Sequence, residues 1–328
     1  MTSDPAVTGA AFSELVSNPW ASLIVQWIVL GVVGVIIMLG VTKGIEATTK
    51  RLLPILAILL VVIGIRSLTL DGASAGLEFL FKPDFSKLTA PVILTALGLA
   101  FFKLSIGMGA MLTYGSYYGD NQNIPANAAR VVGADLLVSL LAGIAIFPAV
   151  FAFKIEPTAG AELLFITIPT VFNAMPFGQV FMILFFILTA FAAIGAMLSL
   201  VEVVVAFLIN VTRLNRKLAT LVTVVAMALV GSLSALSNST LANFKIFGMT
   251  AFDFCDFSTS NVLLPIGGLA ISIFVGWVWG WPKFKQTLTN ENTISNVFLL
   301  KAVFNILRFV TPILVLLILL TGLKIITL

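Results

Sequence analysis

Within one long apolar stretch the chain reads Phe101-Phe102-Lys103-Leu104-Ser105-Ile106-Gly107-Met108-Gly109. Two glycines one residue apart each weaken a helix by roughly 1 kcal/mol. In hydrocarbon, loosened backbone persists only where it lines a cavity or is covered by protein. The carbonyls freed by such a break, with the Ser105 hydroxyl, can bind an ammonium group or a cation. Lys103, two residues before that serine, is an ionisable group at membrane depth and a functional candidate on that ground alone. Half-helices that stop at a charged break line the central sites of membrane carriers. A Gly-x-Gly notch for close helix packing is the structural alternative. Glu202 also lies inside a long apolar span, where a hydrogen bond to a neighbouring helix is the expected role. Asp253 and Asp256 are three residues apart, hence on one helix face.

The elements that must carry these residues are membrane helices. Sixty per cent of the 328 residues are hydrophobic and 10% are charged, against about 25% charge in a soluble domain. Mean hydropathy is +1.14. The pI near 9.3 rests on a net charge of only +4 spread over short loops, so a nucleic-acid partner is not indicated. There is no histidine and a single cysteine, Cys255. A disulfide framework, a histidine metal site and a histidine-dependent triad are thereby excluded within this sequence. With no catalytic dyad or cofactor loop either, an enzyme is not expected.

Hydrophobic runs bounded by Gly, Pro, Asn and charges predict about eight transmembrane helices: 20–42, 50–70, 91–118, 127–153, 178–210, 217–237, 251–280 and 296–325. Lys43, Lys50, Arg51, Arg130, Arg213, Arg216, Lys217, Lys283 and Lys285 fall in one alternating set of connections. The other set mixes Arg66, Lys82, Lys87, Lys154 and Lys245 with Asp71, Glu78, Asp84, Glu156 and Glu162. The positive-inside rule places the first set in the cytoplasm and both termini outside. Such an entry without a cleavable signal suggests a chain whose natural beginning lies further upstream. The long outer connections 71–90 and 155–177 are rather apolar. Segments such as Ala161-Glu162-Leu163-Leu164-Phe165-Ile166 are candidates for short helices over the outer face.

The stretch from Phe101 to Tyr118 resembles the sixth helix of the neurotransmitter:sodium symporter family. Lys43-Gly44-Ile45-Glu46, Phe81-Lys82-Pro83-Asp84-Phe85-Ser86-Lys87-Leu88, Ser199-Leu200-Val201-Glu202, Phe252-Asp253-Phe254-Cys255-Asp256-Phe257 and Arg308-Phe309-Val310-Thr311-Pro312 are similar to further family segments, in order along nearly the whole chain. The resemblance implies an all-α polytopic fold, a partial LeuT-like inverted-repeat arrangement matching the fourth to eleventh helices. Residues 20–70 would be the remnant of the first repeat, 91–280 a complete second repeat of five helices, and 296–325 an additional helix. The first three helices would be absent; in the family the first of them supplies the other broken segment of the substrate site and ligands to both sodium sites.

By the same resemblance, substrate would be lined by Phe102, Ser105, Ile106, Gly107, Met108, Gly109 and Leu200. Ion-site positions would fall at Lys103, Asp135, Ser139, Ala192, Gly195 and Ala196, and half of an outer gate at Asp256. Several depart from the family. Lys103 replaces a small hydroxyl residue and Asp135 an asparagine, which suggests an internal ion pair, a tethered substitute for the first sodium. Gly195 and Ala196 replace two hydroxyl residues of the second sodium site; for both, close helix packing is the expected role. Ser139, at a family position tied to chloride dependence, reads by default as a packing serine. The resemblance thus implies a secondary transporter for amino acids or related amines in a bacterial cytoplasmic membrane. No cofactor is expected, and sodium coupling is doubtful. Beyond the lipid bilayer and an amino-acid-like substrate, its partners would be a separate N-terminal segment or further copies of itself. The alternatives are a fragment that needs that N-terminal half and a non-transporting membrane interaction protein.

Overall fold

The computed structural model describes residues 5–119, 122–155, 160, 162–290 and 297–326. Among them all regular structure is helical, apart from one isolated bridge between Ile246 and Met249. Among the described residues seven helices are long and apolar enough to cross a membrane: α2 (Pro19–Met38), α3 (Val41–Leu68), α7 (Ile124–Ala152), α9 (Gly178–Thr212), α10 (Arg216–Ala235), α11 (Ala251–Leu288) and α12 (Val297–Gly322). The shorter helices are α1 (Pro5–Ser17), α4 (Ala73–Phe81), α5 (Ala90–Lys103), α6 (Ala110–Gly115) and α8 (Leu163–Ala174).

The expected span 91–118 is therefore not one helix but two, α5 and α6, separated by the glycine-rich stretch. Two expected boundaries also move. Gly40 adopts φ +94°, which only glycine takes easily, so the chain turns tightly and α3 begins at Val41. Lys43, Lys50 and Arg51 thus sit on the first turns of a helix, and Lys50 pairs with Glu46 at 2.6 Å. At the other end α11 continues to Leu288, carrying Lys283 and Lys285. Of the outer-loop segment 161–166, Ala161 lies outside the described residues, and α8 starts two residues later. Residue 296, the expected start of the last span, also lies outside them.

The chain forms two compact units. The first comprises the chain up to Pro83 with Leu136–Phe252. Two of its helices, α2 and α10, start at side-chain caps. Asn18 accepts a hydrogen bond from Ala21 N ahead of Pro19, and Asn215 accepts one from Leu218 N. Leu60, Ile63, Ala145, Ile168, Phe172, Met175, Phe185 and Leu188 make a core cluster in it. Small residues bring backbones close: a Cβ on Gly76 would lie 2.5 Å from the Phe147 carbonyl. α1 lies on α8, with the rings of Phe12 and Phe165 stacked at 5.2 Å and the Thr8 and Thr170 hydroxyls 2.7 Å apart. Beyond α4, Lys82 donates a hydrogen bond to Glu78. That bond and the opposite charges hold the Glu78 carboxyl below, and the Lys82 ammonium above, their ordinary values.

The second unit comprises Asp84–Asp135 with the chain from Asp253 onward. It holds α5, α6, the first turns of α7, α11 and α12. Leu264–Ile273 of α11 packs along Thr311–Gly322 of α12. Wide π-type turns interrupt both helices, at Ser258–Leu263 and Phe274–Trp279 in α11 and at Ile306–Val310 in α12.

Candidate functional site

α5 ends at Lys103. Ser105 then takes a left-handed φ of +53°, its N–H donating to the Phe102 carbonyl, while Ile106 N–H reaches the Phe101 carbonyl at 2.9 Å. This closes the helix with the 6→1 bond of a Schellman-type end, normally built on glycine. A non-glycine residue in that conformation costs about 1–2 kcal/mol. Gly107 and Gly109 follow at φ +89° and +81°, and α6 restarts at Ala110. Helix ends carry unpaired backbone groups and partial charge. The six residues 104–109 thus lie between two such ends.

A neighbour holds the break in place. A Cβ on Gly107 would lie 2.5 Å from the Leu264 carbonyl oxygen, one on Gly267 2.3 Å from the Gly107 oxygen, and one on Gly268 2.7 Å from Phe101 Cε1. Backbone meets backbone here. The packing role of the Gly-x-Gly is real, and it fixes where the carbonyls of the break lie.

Beside the break, Lys103 Nζ lies 3.0 Å from Asp135 Oδ2 on α7. The two side chains are 39% and 30% exposed within the chain, so the pair is partly covered and not sealed. Phe102 and Asp256 both line a groove of about 720 Å³ in the same unit, with Thr95, Phe101, Ser260, Asn261, Ile318 and Thr321 among its walls. Ser105, Ile106, Gly107, Met108 and Gly109 are not among the residues lining it. Asp256 accepts a hydrogen bond from Ser260, one turn along α11, at 3.4 Å.

The remaining expected positions belong to the first unit. Ser139 is half-buried on α7, one turn beyond Asp135. Ala192 and Ala196 are exposed on α9, as is Leu200 at 43%. Close packing does not account for Gly195, because a Cβ there would meet nothing within 4 Å. Gly195 and Ala196 bring no side-chain oxygen, and the Gly195 carbonyl accepts a hydrogen bond from Ser199 Oγ at 3.4 Å. Among the described residues no cluster of three or more acidic or cysteine side chains is arranged to hold a metal ion.

A model of the sodium:neurotransmitter symporter family matches residues 15–327. The chain belongs to that family. A Bacillus subtilis (strain 168) protein described as the uncharacterized sodium-dependent transporter YhdH is 40% identical over 304 residues, 93% of this chain and 67% of that protein. An uncharacterized sodium-dependent transporter of Haemophilus influenzae is 35% identical over 291 residues, covering 88% of this chain and 63% of its own length. The crystal structure of MhsT in complex with L-phenylalanine superposes with a TM-score of 0.84 at 39% identity, over 96% of this chain and 71% of that one. This symporter-family chain thus shares the LeuT-like helical fold and spans about two thirds of the length of these three relatives.

Two features of this family member were not located by sequence reasoning. One is the Gly267–Gly268 pair. Its signal was a Gly-Gly inside an apolar span just after Pro265, which says that something approaches closely but not what. The other is the partner of Glu202. Arg216, the first residue of α10, donates through Nη2 to Glu202 Oε2 at 2.5 Å and through Nε to the Ile37 carbonyl of α2 at 2.8 Å. Glu202 is 0% exposed. The bond to a neighbouring helix expected of Glu202 thus joins α9 to α10, and through Arg216 to α2.

Proposed function

We propose that this chain is the carrier core of a secondary transporter for amino acids or related amines, in a bacterial cytoplasmic membrane. The observation that carries the reading is the break at 104–109 with the Lys103–Asp135 pair at its edge. Carbonyls released by the break suit an ammonium group, and Phe102 offers an apolar wall. Lys103 supplies a positive charge on a flexible stem where the family places a ligand of the first sodium, and Asp135 balances it. At the second cation position Gly195 and Ala196 leave a hard cation short of the several oxygens it requires. Coupling to sodium is therefore not part of the proposal. Relatives in Bacillus subtilis and Haemophilus influenzae support the bacterial membrane. A second reading, in which carriage requires a further polypeptide bearing the first three helices, is favoured by the 67% and 63% of its relatives that the chain spans.

Uptake of labelled amino acids into proteoliposomes tests both. The purified chain is assayed alone and with a separately expressed N-terminal part, under a sodium gradient, a proton gradient or neither. Saturable uptake that is indifferent to sodium is expected. Uptake only with the added part selects the second reading. Sodium-dependent uptake overturns the tethered-charge assignment, and no uptake under any condition overturns the carrier reading.

A further inference from the structure

Three of the five tryptophans, Trp277, Trp279 and Trp281, fall within five residues, and Lys283 and Lys285 follow directly. Gly280, at φ +74°, bends α11 after its π-type turn and gives the last segment, Gly280–Leu288, a direction of its own. One face of that segment is committed to the protein. Phe284 and Trp281 pack on Phe304 of α12 with ring centroids 5.1 and 5.4 Å apart, and Leu300 and Leu288 complete the cluster. Lys283 is left exposed on the other face. On α12, Leu300 and Phe304 point inward while Lys301 is exposed beside Phe298 and Leu299, which are 91% and 60% exposed.

Arg308 lies seven residues beyond Lys301, about 10 Å further along the helix. Its guanidinium carbon is 4.4 Å from the centroid of the Trp277 ring and 5.3 Å from that of Phe309. The approach is allowed because residue 276 is glycine: a Cβ there would lie 3.0 Å from Arg308 Cα. Arg308 Nε is buried and has no hydrogen-bond partner among the described residues. No carboxylate occurs among the described residues from 264 to 326; Glu291, in the connection between α11 and α12, lies outside them.

We propose that this corner binds the phosphate headgroup of an acidic phospholipid. Lys283 and Lys285 near the end of α11 and Lys301 near the start of α12 are mixed with exposed tryptophan and phenylalanine, which is the pattern that settles at the boundary between headgroups and acyl chains. Clustered lysine and arginine at that level attract anionic lipid. Arg308 lies deeper, where its guanidinium holds the Trp277 and Phe309 rings by cation–π contact. Phe298, Leu299 and Val278, the last 71% exposed, offer the adjoining acyl contact. A nucleic-acid or protein partner would not require this alternation of cations with lipid-exposed rings.

The test uses the full chain in nanodiscs of phosphatidylcholine with increasing phosphatidylglycerol, reading retained lipid by native mass spectrometry and thermal unfolding in parallel. Neither readout depends on transport, so failure here and failure of the carrier reading are distinguishable. The wild type should retain phosphatidylglycerol over phosphatidylcholine on the order of tenfold, given the attraction per basic residue at an anionic surface. Lys283→Gln with Lys285→Gln and Lys301→Gln should abolish most of that preference, and Lys87→Gln should not. If the triple variant does not fold, Lys301→Gln alone should still halve the preference. Equal retention of the two lipids, or equal preference in wild type and variant, overturns the proposal. So does displacement of the lipid by millimolar inorganic phosphate, which would make this a soluble-anion site.

Discussion

Lys103 and Asp135 stand 3.0 Å apart at 39% and 30% exposure, between two regimes. Exposed pairs contribute about 0–1 kcal/mol, whereas removing one partner of a buried pair costs about 3–5 kcal/mol. An intermediate cost of about 2 kcal/mol is therefore expected for Lys103→Met, which strands the carboxylate. Adding Asp135→Asn should recover at least half of it, as read by thermal unfolding in one detergent. A double variant no better than the single one would show that the two charges are not coupled. Glu202 and Arg216 make the opposite case, since the carboxylate is 0% exposed and the arginine side chain 25%. Arg216→Leu removes the guanidinium partner from a fully buried carboxylate and should cost about 3–5 kcal/mol. Glu202→Leu leaves behind the group nearer the surface and should cost less. The reverse order in unfolding midpoints would contradict the burial assigned here.

At the scale of elements, what matters is how glycine is used. Gly267→Ala would drive a methyl to 2.3 Å from the Gly107 carbonyl and should destabilise by about 1–3 kcal/mol, as overpacking does. Because the displaced atom belongs to the break, amino-acid affinity in a binding assay should fall as well. Gly195→Ala meets open space inside a helix and should be neutral or stabilising by about 0.5–1 kcal/mol. The break itself was legible in the sequence because positive φ at Gly107 and Gly109 is a local demand that residue type reveals. The Gly267–Gly268 contact was not, because a close approach is defined by its partner. The π-type turns at 258–263, 274–279 and 306–310 were also invisible, since tertiary packing selects them and no short motif specifies them. α1 gave no apolar periodicity to read; what holds it is its contact with α8, some 150 residues away.

Across the whole molecule, hydropathy located the long helices and misplaced their ends, because glycine turns and caps, rather than hydrophobic content, decide where a helix stops. The distribution of Lys and Arg predicts that both termini face away from the cytoplasm. Cys255, the single cysteine and exposed, provides a probe near Asp256. A membrane-impermeant maleimide should label it in intact cells. In a Cys255→Ala background, a cysteine introduced by Asn215→Cys should label only after permeabilisation. The converse pattern would invert the orientation.

The stacking of Phe12 on Phe165 and the paired hydroxyls of Thr8 and Thr170 carry a consequence for the time domain. Segments that share their few tertiary contacts open together. Amide hydrogens of residues 5–17 and 163–174 should accordingly exchange with deuterium as one cooperative unit. Phe12→Ala should accelerate exchange in α8 as well as in α1, although α8 itself is unaltered.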